Sequence, residues 1–342
     1  MEFIMKKTTK LISLILSLVM ILTLLAVFAS CDKEKDDGDG DKLDTSLEIN
    51  VSVLNGTTGF GAAKLINDKN NGKAALNYKF TVETDASNIT AALINGSVDI
   101  AALPTNAAAN LYNKTRGAVQ IAAINTLGVL YLVTNSTEIN SIEDLRGKTV
   151  YCPAQNPSFI FDALCRANGL VPGKDVTIDT SYAQPADLRT MVATKKVDIA
   201  VLPEPMVTIA KSANPDLKVA LDLTEVWESV NGENSLAQGC IVVRKEWAKE
   251  HPAELAKFLE EYKSAIEFTV ANPKEASEMI VSTGVFAGKA PVAEKAIPKC
   301  NIVYIDGEDM KSALDTFFSK LFATAPASIG GQIPDDGIYY KK

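Results

Sequence analysis

The sequence is poor in the side chains from which most catalytic and metal sites are built. It has one histidine, His251, and five cysteines, and no two cysteines have the CxxC spacing of a zinc or redox site. A Ser-His-Asp triad or a His-Cys metal cluster is difficult to assemble from so few residues. We therefore expect no catalytic residue, no metal site and no cofactor.

The chain also lacks an excess of positive charge. It carries 34 lysines and arginines against 42 aspartates and glutamates, a net charge of −8, and no basic stripe is visible along the sequence. Binding to nucleic acid is therefore not expected, since such proteins concentrate lysine and arginine on one face. The length, 342 residues, exceeds what one small core organises and fits two lobes.

The N-terminus has the layout of a secretory signal peptide. Three lysines precede residues 11–28, which contain no charged side chain, and small residues follow before Cys31. We predict that residues 1–30 are a signal peptide. The cysteine at this point resembles that of a bacterial lipobox, which implies that Cys31 is acylated. A single transmembrane helix is the alternative, because an apolar run of this length is borderline for crossing a bilayer.

Residues 31–46 are rich in acidic side chains and contain one leucine. Such a composition cannot bury an apolar core, so this segment is predicted to be a flexible tether between the lipid anchor and the folded body.

The most informative feature is an internal repeat. Residues 98–104 read VDIAALP and residues 197–203 read VDIAVLP. In both copies the pattern before and after this motif predicts strands alternating with helices. Alternation of this kind is typical of parallel α/β sheets, so the sequence predicts two α/β lobes built alike.

The segments between and after the copies predict how the lobes are joined. We place lobe 1 at residues 47–134 plus 241–342 and lobe 2 at 135–240. The β-like segments 130–134 and 236–244 are predicted to cross between the lobes as a two-stranded hinge. Helices predicted over 252–271, 273–283 and 308–323 should pack back on the first lobe.

Four motifs carry a resemblance to a known family: LNGTTG at 54–59, the repeated VDIA-x-LP, NTLGVLY at 125–131 and SIEDLRGKTV at 141–150. Together, in this order, they resemble type II solute-binding proteins of ABC importers, in particular the nitrate/sulfonate/taurine and thiamine-pyrimidine-precursor binders. The resemblance implies two Rossmann-like lobes in the type II periplasmic-binding-protein fold. It implies a monomer on the extracytoplasmic face of the cell membrane that delivers a small molecule to a transporter permease.

Ligands of open α/β sheets bind beyond the carboxyl ends of the strands, so the residues after each predicted strand are the candidates for ligand binding. Glycines there allow close approach of the backbone, and helix N-termini offer N–H donors. Capping of the following helix is the structural alternative for several of them, including Thr105 and Asn156. The candidates are Asn55, Gly56, Thr57, Thr58, Gly59, Thr105, Asn106, Asn125, Thr126, Gln155, Asn156, Ser158, Glu204 and Gln238.

Glu204 is the only acidic side chain in this set. Facing a cleft, it can pair with an amine or ring N–H of a ligand, and the alternative is favourable placement at a helix start. No arginine follows a predicted strand in either copy, which disfavours a strongly anionic ligand. We expect a small polar or heterocyclic solute, with Phe60, Phe159 or Trp227 either stacking on it or packing in the core.

Two other functions fit the same fold. An enzyme is disfavoured because Glu204 is the only obvious carboxylate at a predicted cleft position. A ligand-sensing module that signals through a receptor needs the same cleft, and the sequence does not separate it from an importer subunit.

The lipobox interpretation is tested by Cys31→Ala. Without the thiol no acyl chain can be attached, so the protein should move from the membrane fraction to the medium or stay unprocessed. Cell fractionation with intact-mass measurement reads this out. A variant that fractionates like the parent, with no acyl mass lost, contradicts the prediction.

Overall fold

A computed structural model describes residues 43–341. The predicted signal peptide, Cys31 and residues 32–42 of the predicted tether lie outside the described residues. The end of the predicted tether is attached to the body, because the Asp44 N–H donates to Glu254 Oε1 at 2.7 Å. No helix within 43–341 is long and apolar enough to cross a membrane.

The first third of the described chain alternates strands and helices. In order these elements are β1 (Glu48–Leu54), α1 (Thr57–Phe60), α2 (Ala63–Asn70), β2 (Asn77–Glu83), α3 (Ala86–Asn95), β3 (Ile100–Pro104), α4 (Thr105–Thr115) and β4 (Val119–Thr126). Strand β1 pairs in parallel with both β2 and β3, as the alternating pattern predicts.

The second copy follows with shorter strands. Its elements are β5 (Leu130–Thr134), β6 (Thr149–Tyr151), α5 (Asn156–Ala167), β7 (Thr177–Asp179), α6 (Pro185–Ala193), β8 (Ile199–Pro203), α7 (Met206–Ala213), β9 (Lys218–Asp222) and α8 (Leu223–Asn231). Strand β6 pairs in parallel with β7 and β8.

The remaining chain is mainly helical. It contains β10 (Gly239–Arg244), α9 (Lys245–Glu250), α10 (Pro252–Ala271), α11 (Pro273–Ser282), α12 (Ala290–Ala296), β11 (Ile302–Ile305) and α13 (Gly307–Thr324). The predicted helix 252–271 is confirmed, and its start at Pro252 follows from proline's fixed φ and missing N–H, which suit the first helical position. His251 precedes it and stacks near Trp247.

The strand orders confirm two lobes built alike. The six-stranded sheet runs β11-β4-β10-β3-β1-β2 and the five-stranded sheet runs β7-β6-β8-β5-β9. Apart from β11, corresponding strands occupy corresponding places: β10 lies between β3 and β4, and β5 lies between β8 and β9. Each lobe thus receives one strand at the same position of its sheet.

These two inserted strands correct the predicted boundaries. Strand β5 pairs antiparallel with β8 and β9 in the second sheet, and β10 pairs antiparallel with β3 and β4 in the first. The sheets are therefore mixed rather than purely parallel, because each inserted strand enters from the opposite lobe. The chain crosses at 127–129, not after 134, and returns at 236–238.

The two crossings meet at one side chain. Gln238 Oε1 accepts a 2.7 Å hydrogen bond from the Val129 N–H, and the Gln238 N–H donates to Thr126 O at 3.0 Å. The two-stranded hinge is thus a pair of short neighbouring connections, and the predicted strands 130–134 and 236–244 continue from it into different sheets.

The C-terminal helices do not all pack as predicted. Helix α10 contributes Phe258 and Tyr262 to an apolar cluster with the first sheet, as expected. Helix α13, however, contributes Phe317 and Phe318 to a cluster that contains residues of both lobes. The Phe317 ring lies 6.0 Å from the ring of Trp227 in α8. The expectation that this helix packs on the first lobe alone is therefore wrong.

All four cysteines within residues 43–341 are buried and unpaired, namely Cys152, Cys165, Cys240 and Cys300. Burial raises the pKa of the Cys240 thiol to about 12. This confirms their interpretation as small apolar side chains.

The crossing at 127–129 has no room for a side chain at its centre. A Cβ on Gly128 would overlap Thr224 Oγ1 and lie 2.6 Å from Leu236 Cδ2. We expect Gly128→Ala to lower the free energy of unfolding by about 3 kcal/mol, as overpacking of a tight core does. Urea denaturation measures this. Gly169→Ala, where φ is +74° and the space is open, should cost only about 1 kcal/mol for its left-handed backbone. Equal costs at the two glycines would contradict the close approach.

Candidate functional site

The loop after β1 is held to the body by its own backbone and by Asn55. The Asn55 Nδ2 group donates to Gly284 O at 3.0 Å, and the Gly56 N–H donates to Val285 O at 2.8 Å. Gly56 has φ +106°, which favours glycine, and a Cβ on Gly59 would overlap Leu54 O. These three residues therefore shape the loop. The hydroxyls of Thr57 and Thr58 are half-buried, and no hydrogen bond within residues 43–341 uses them.

The residues at the end of β4 form a buried network with the hinge. Asn125 Nδ2 donates to Thr58 O at 2.9 Å and to Tyr262 Oη at 3.0 Å, while Thr126 Oγ1 donates to Asn125 Oδ1. The Gln238 side chain is occupied by the crossing strand. These bonds give Asn125, Thr126 and Gln238 a positioning role, and direct contact with a ligand stays a prediction for them.

The start of α4 brings a polar group into the gap between the lobes. Pro104 occupies the N-cap position and makes no side-chain cap bond, so the predicted capping role of Thr105 is wrong. The Thr105 N–H instead donates to Gln238 O at 3.1 Å. The next residue, Asn106, has a buried Oδ1 without a hydrogen-bond partner among the described residues. Such an atom is costly unless something else donates to it.

The start of α5 in the second lobe also carries a buried polar atom without a partner among the described residues. Gln155 occupies the N-cap position with φ +64° and is exposed, and Ser158 Oγ donates to Gln155 O at 2.9 Å. Asn156 is the first helical residue, so the predicted cap by Asn156 is wrong. Its Oδ1 is also buried without a partner in the described chain. Each lobe therefore presents one unpartnered asparagine oxygen at the start of a helix that follows a strand.

Glu204, two residues before the start of α7, has a partner in that helix. Thr208 donates to both carboxylate oxygens, from its N–H at 3.1 Å and from Oγ1 at 2.9 Å. The side chain is 2% exposed. This carboxylate therefore needs no ligand to be partnered, because the residue four positions later donates to it. Burial raises the pKa of Glu204 above its ordinary value, and the two bonds from Thr208 oppose that rise.

One cavity draws on both lobes. It has a volume of about 450 Å³, within the usual range for small-molecule sites. Asn106 and Gln155 are the predicted site residues that line it; the other candidates, Asn156 and Glu204 among them, do not. The other lining residues are Asp85, Ala86, Ser87, Thr90, Ile94, Ala107, Asn110, Leu111, Lys114, Phe159 and Ser328.

Six polar lining residues were not predicted from the sequence, and Asn110, Lys114 and Ser87 are three of them. Asn110 and Lys114 follow Asn106 at helical spacing on one face of α4, a period of four that the sequence displays. Ser87 is the second residue of α3 and follows the end of β2 at Glu83 by four positions. Its N–H donates to Asp85 Oδ1 at 2.8 Å, and this bond together with the Ser87 side chain holds the pKa of Asp85 below its usual range.

The three aromatic candidates, Phe60, Trp227 and Phe159, differ in where their side chains lie. Phe60 is fully buried and packs edge-on against Phe286 at 5.9 Å. Trp227 is 1% exposed and its Nε1–H donates to Ser235 Oγ at 3.0 Å. Both belong to the core. Phe159, half-buried on α5, is the member of this trio that lines the cavity.

Sequence and structure comparisons agree with this architecture. Residues 72–276 match the profile of the family described as NMT1/THI5 like. The chain belongs to this family. No curated protein matches it in a sequence search.

Among solved structures, an ABC transporter protein from Parabacteroides distasonis is 25% identical, with a TM-score of 0.73 over 87% of this chain and 100% of that one. The aliphatic sulphonate binding protein SsuA of Escherichia coli is 15% identical, with a TM-score of 0.68 over 86% and 92%. The nitrate-binding protein NrtA of Synechocystis is 12% identical, with a TM-score of 0.57 over 82% and 84%. The last two show a shared fold.

These findings confirm the predicted fold and class. The chain has the two-lobed α/β fold of periplasmic binding proteins, and it is homologous to the substrate-binding components of ABC importers.

The raised pKa of Glu204 predicts how stability depends on pH. A carboxyl whose pKa is higher in the folded chain than in the unfolded chain stabilises the fold while protonated, and this contribution is lost as the pH rises above the ordinary value of 4.5. Glu204→Gln stays neutral. The free energy of unfolding of the parent, minus that of the variant, should therefore fall as the pH rises above about 4.5.

Urea denaturation at several pH values measures this difference. Thr208→Val removes the hydroxyl donor that favours the charged form of Glu204. When Glu204→Gln is compared with its parent in a chain that carries Thr208→Val, the difference should fall more with pH than it does with Thr208 present. A difference that rises with pH would show that the hydrogen bonds, rather than burial, dominate the environment of Glu204.

Proposed function

We propose that this chain is a lipid-anchored, extracytoplasmic substrate-binding protein that takes up a small polar or heterocyclic solute between its lobes. It then hands the solute to an ABC transporter permease. The membership in the family and the homology to importer components support the class. The anchor rests on the sequence around Cys31, and action as a monomer is part of the same proposal.

The observation that carries the ligand site is the pair of asparagines at two helix starts. Asn106 lies in lobe 1 and Asn156 in lobe 2, and each has a buried Oδ1 that no described residue satisfies. Groups of this kind are normally paired, and an N–H or O–H of a bound solute can supply the missing donor. Asn106 lines the cavity, and Gln155, the neighbour of Asn156, lines it from the other lobe.

The charge of the lining supports a solute that is not strongly anionic. Lys114 and Asp85 are its only charged residues among those described, and no arginine takes part. Bidentate recognition of a sulfonate or carboxylate by arginine is thus not provided there. Phe159 offers an aromatic face, which suits a planar solute.

Binding without catalysis is the function this arrangement supports best. The titratable lining residues are Lys114 and Asp85, which accepts from the Ser87 N–H and has a lowered pKa, while the buried Glu204 is bonded to Thr208 rather than placed in the cavity. General acid–base catalysis works best with a group whose pKa lies near the working pH, and a lowered pKa moves the Asp85 carboxyl away from that range.

A thermal-shift screen over pyrimidines, amines, sulfonates and nitrate tests the proposal. A solute that binds only the folded protein raises the melting temperature by mass action. We expect a pyrimidine or an amine to give the largest rise. A rise with nitrate or a sulfonate alone would contradict the proposed ligand chemistry, and no rise with any class would contradict small-solute binding of these kinds.

The asparagine pair is tested with the solute that the screen identifies. Asn106→Ala and Asn156→Ala should each weaken binding about 2- to 10-fold, the equivalent of one lost hydrogen bond. Asn231→Ala is the matched control, because Asn231 Oδ1 is also buried without a partner, but neither Asn231 nor a residue next to it in the chain lines the cavity. Titration calorimetry measures the affinities. Equal weakening by all three variants would contradict the assignment.

A further inference from the structure

A segment of the C-terminal part holds the first crossing between the lobes. Asn301, just before β11, accepts a hydrogen bond from the Leu127 N–H at 3.0 Å through its carbonyl. Its side-chain Nδ2 donates to Gly128 O at 2.6 Å. Asn301 has φ +42°, a conformation that asparagine tolerates better than most residues. Asn301 thus binds two backbone groups of the crossing, the Leu127 N–H and the Gly128 carbonyl.

The same segment also bonds to the second lobe. The Tyr131 hydroxyl, on β5 of lobe 2, donates to Lys299 O at 3.0 Å. Lys299 ends a short 3-10 turn (Ile297–Lys299) that follows α12, and Ile297 belongs to the apolar cluster of the first sheet. The bond therefore joins the two lobes outside the covalent crossings. Tyr131 is 7% exposed, so water competes weakly for its hydroxyl.

The contacts made by Asn301 and by Tyr131 differ in their distance from the chain crossings at 127–129 and 236–238. Asn301 touches residues 127 and 128, inside the crossing, and extends the pairing of β11 with β4 beyond Thr126. Tyr131 lies beyond the crossing, within the second sheet. A rotation of one lobe about 127–129 and 236–238 therefore leaves the Asn301 bonds largely in place and lengthens the bond from Tyr131 to Lys299.

We propose that residues 299–301 are a latch at the hinge. Asn301 fixes the path of the crossing strand, and the bond from the Tyr131 hydroxyl to Lys299 O stabilises the arrangement of the lobes seen here relative to a more open one. This inference rests on the proposed function, because the lobe arrangement sets how much of the protein is competent to bind solute. A smaller competent fraction lowers the apparent affinity in proportion.

The latch is tested on the full chain without any solute. Spin labels attached at Lys73→Cys in lobe 1 and Lys174→Cys in lobe 2 report the distance between the lobes by pulsed electron paramagnetic resonance. Both lysines are exposed, and the four native cysteines of residues 43–341 are buried. Tyr131→Phe removes the hydroxyl and keeps the ring, so the ratio of long to short distances should rise about 2- to 10-fold.

Two further variants define the outcome. Asn301→Asp keeps the shape but faces Gly128 O with an acceptor instead of a donor. Because the Asn301 bonds are kept when the lobes rotate, this variant should change the ratio less than Tyr131→Phe does. Tyr304→Phe is the matched control, since the Tyr304 hydroxyl bonds to Asp306 within the first lobe, and its distances should equal the parent's.

A Tyr131→Phe distribution that coincides with the parent's, or an equal shift in Tyr304→Phe, overturns the latch. Circular dichroism confirms that each variant is folded before the distances are compared. The measurement needs neither solute nor transporter. A shift in Tyr131→Phe together with a failed thermal-shift screen would therefore overturn the proposed function and leave the latch standing.

Discussion

The fold depends on the meeting of two chain crossings at Gln238. Its side chain accepts from Val129, its N–H donates to Thr126 O, and its carbonyl accepts from the Thr105 N–H. One residue therefore connects the outgoing crossing, the end of β4 and the start of the helix that carries Asn106. Because backbone groups buried at a crossing must be paired, this residue satisfies three of them at once. The bond to the Thr105 N–H also ties the helix start that lines one half of the cavity to the crossings.

The exchange of β5 and β10 makes the lobes interdependent. Each sheet includes the strand that directly follows a crossing, so the element before that strand lies in the other lobe. Helix α13 adds an apolar cluster that includes Trp227 of lobe 2 and Ile121 of lobe 1. Motion between the lobes is thus confined to short connections. A glycine at 128 is needed there because Thr224 and Leu236 leave no space for a side chain.

Nine of the candidate ligand residues fall into four groups with different physical roles. Asn55, Gly56 and Gly59 shape a loop, and Asn125, Thr126 and Gln238 hold that loop and the hinge together. Glu204 is bonded to Thr208. Asn106 and Asn156 keep unpartnered oxygens at helix starts, and these are the positions where a solute gains most from binding.

The sequence by itself determined the class and the repeated architecture. The two VDIA-x-LP segments became β3 and β8 at matching places in two sheets, because alternation of buried strands and amphipathic helices is a local pattern that the chain displays directly. The same is true of helix 252–271, whose start Pro252 defines.

Only the tertiary structure decided which sheet receives β5 and β10, and which polar side chains remain without a partner. The sheet that β5 joins is decided by pairing with segments far away in sequence. The hydrophobic pattern of β5 does not decide it, because that pattern would suit either sheet. The partner of Glu204 lay only four residues away, yet whether Thr208 or a solute binds it depends on the direction of the side chain. A residue that directly follows a strand is expected near the cleft. Whether its polar side chain is free to bind a ligand depends on the hydrogen bonds that it makes on folding.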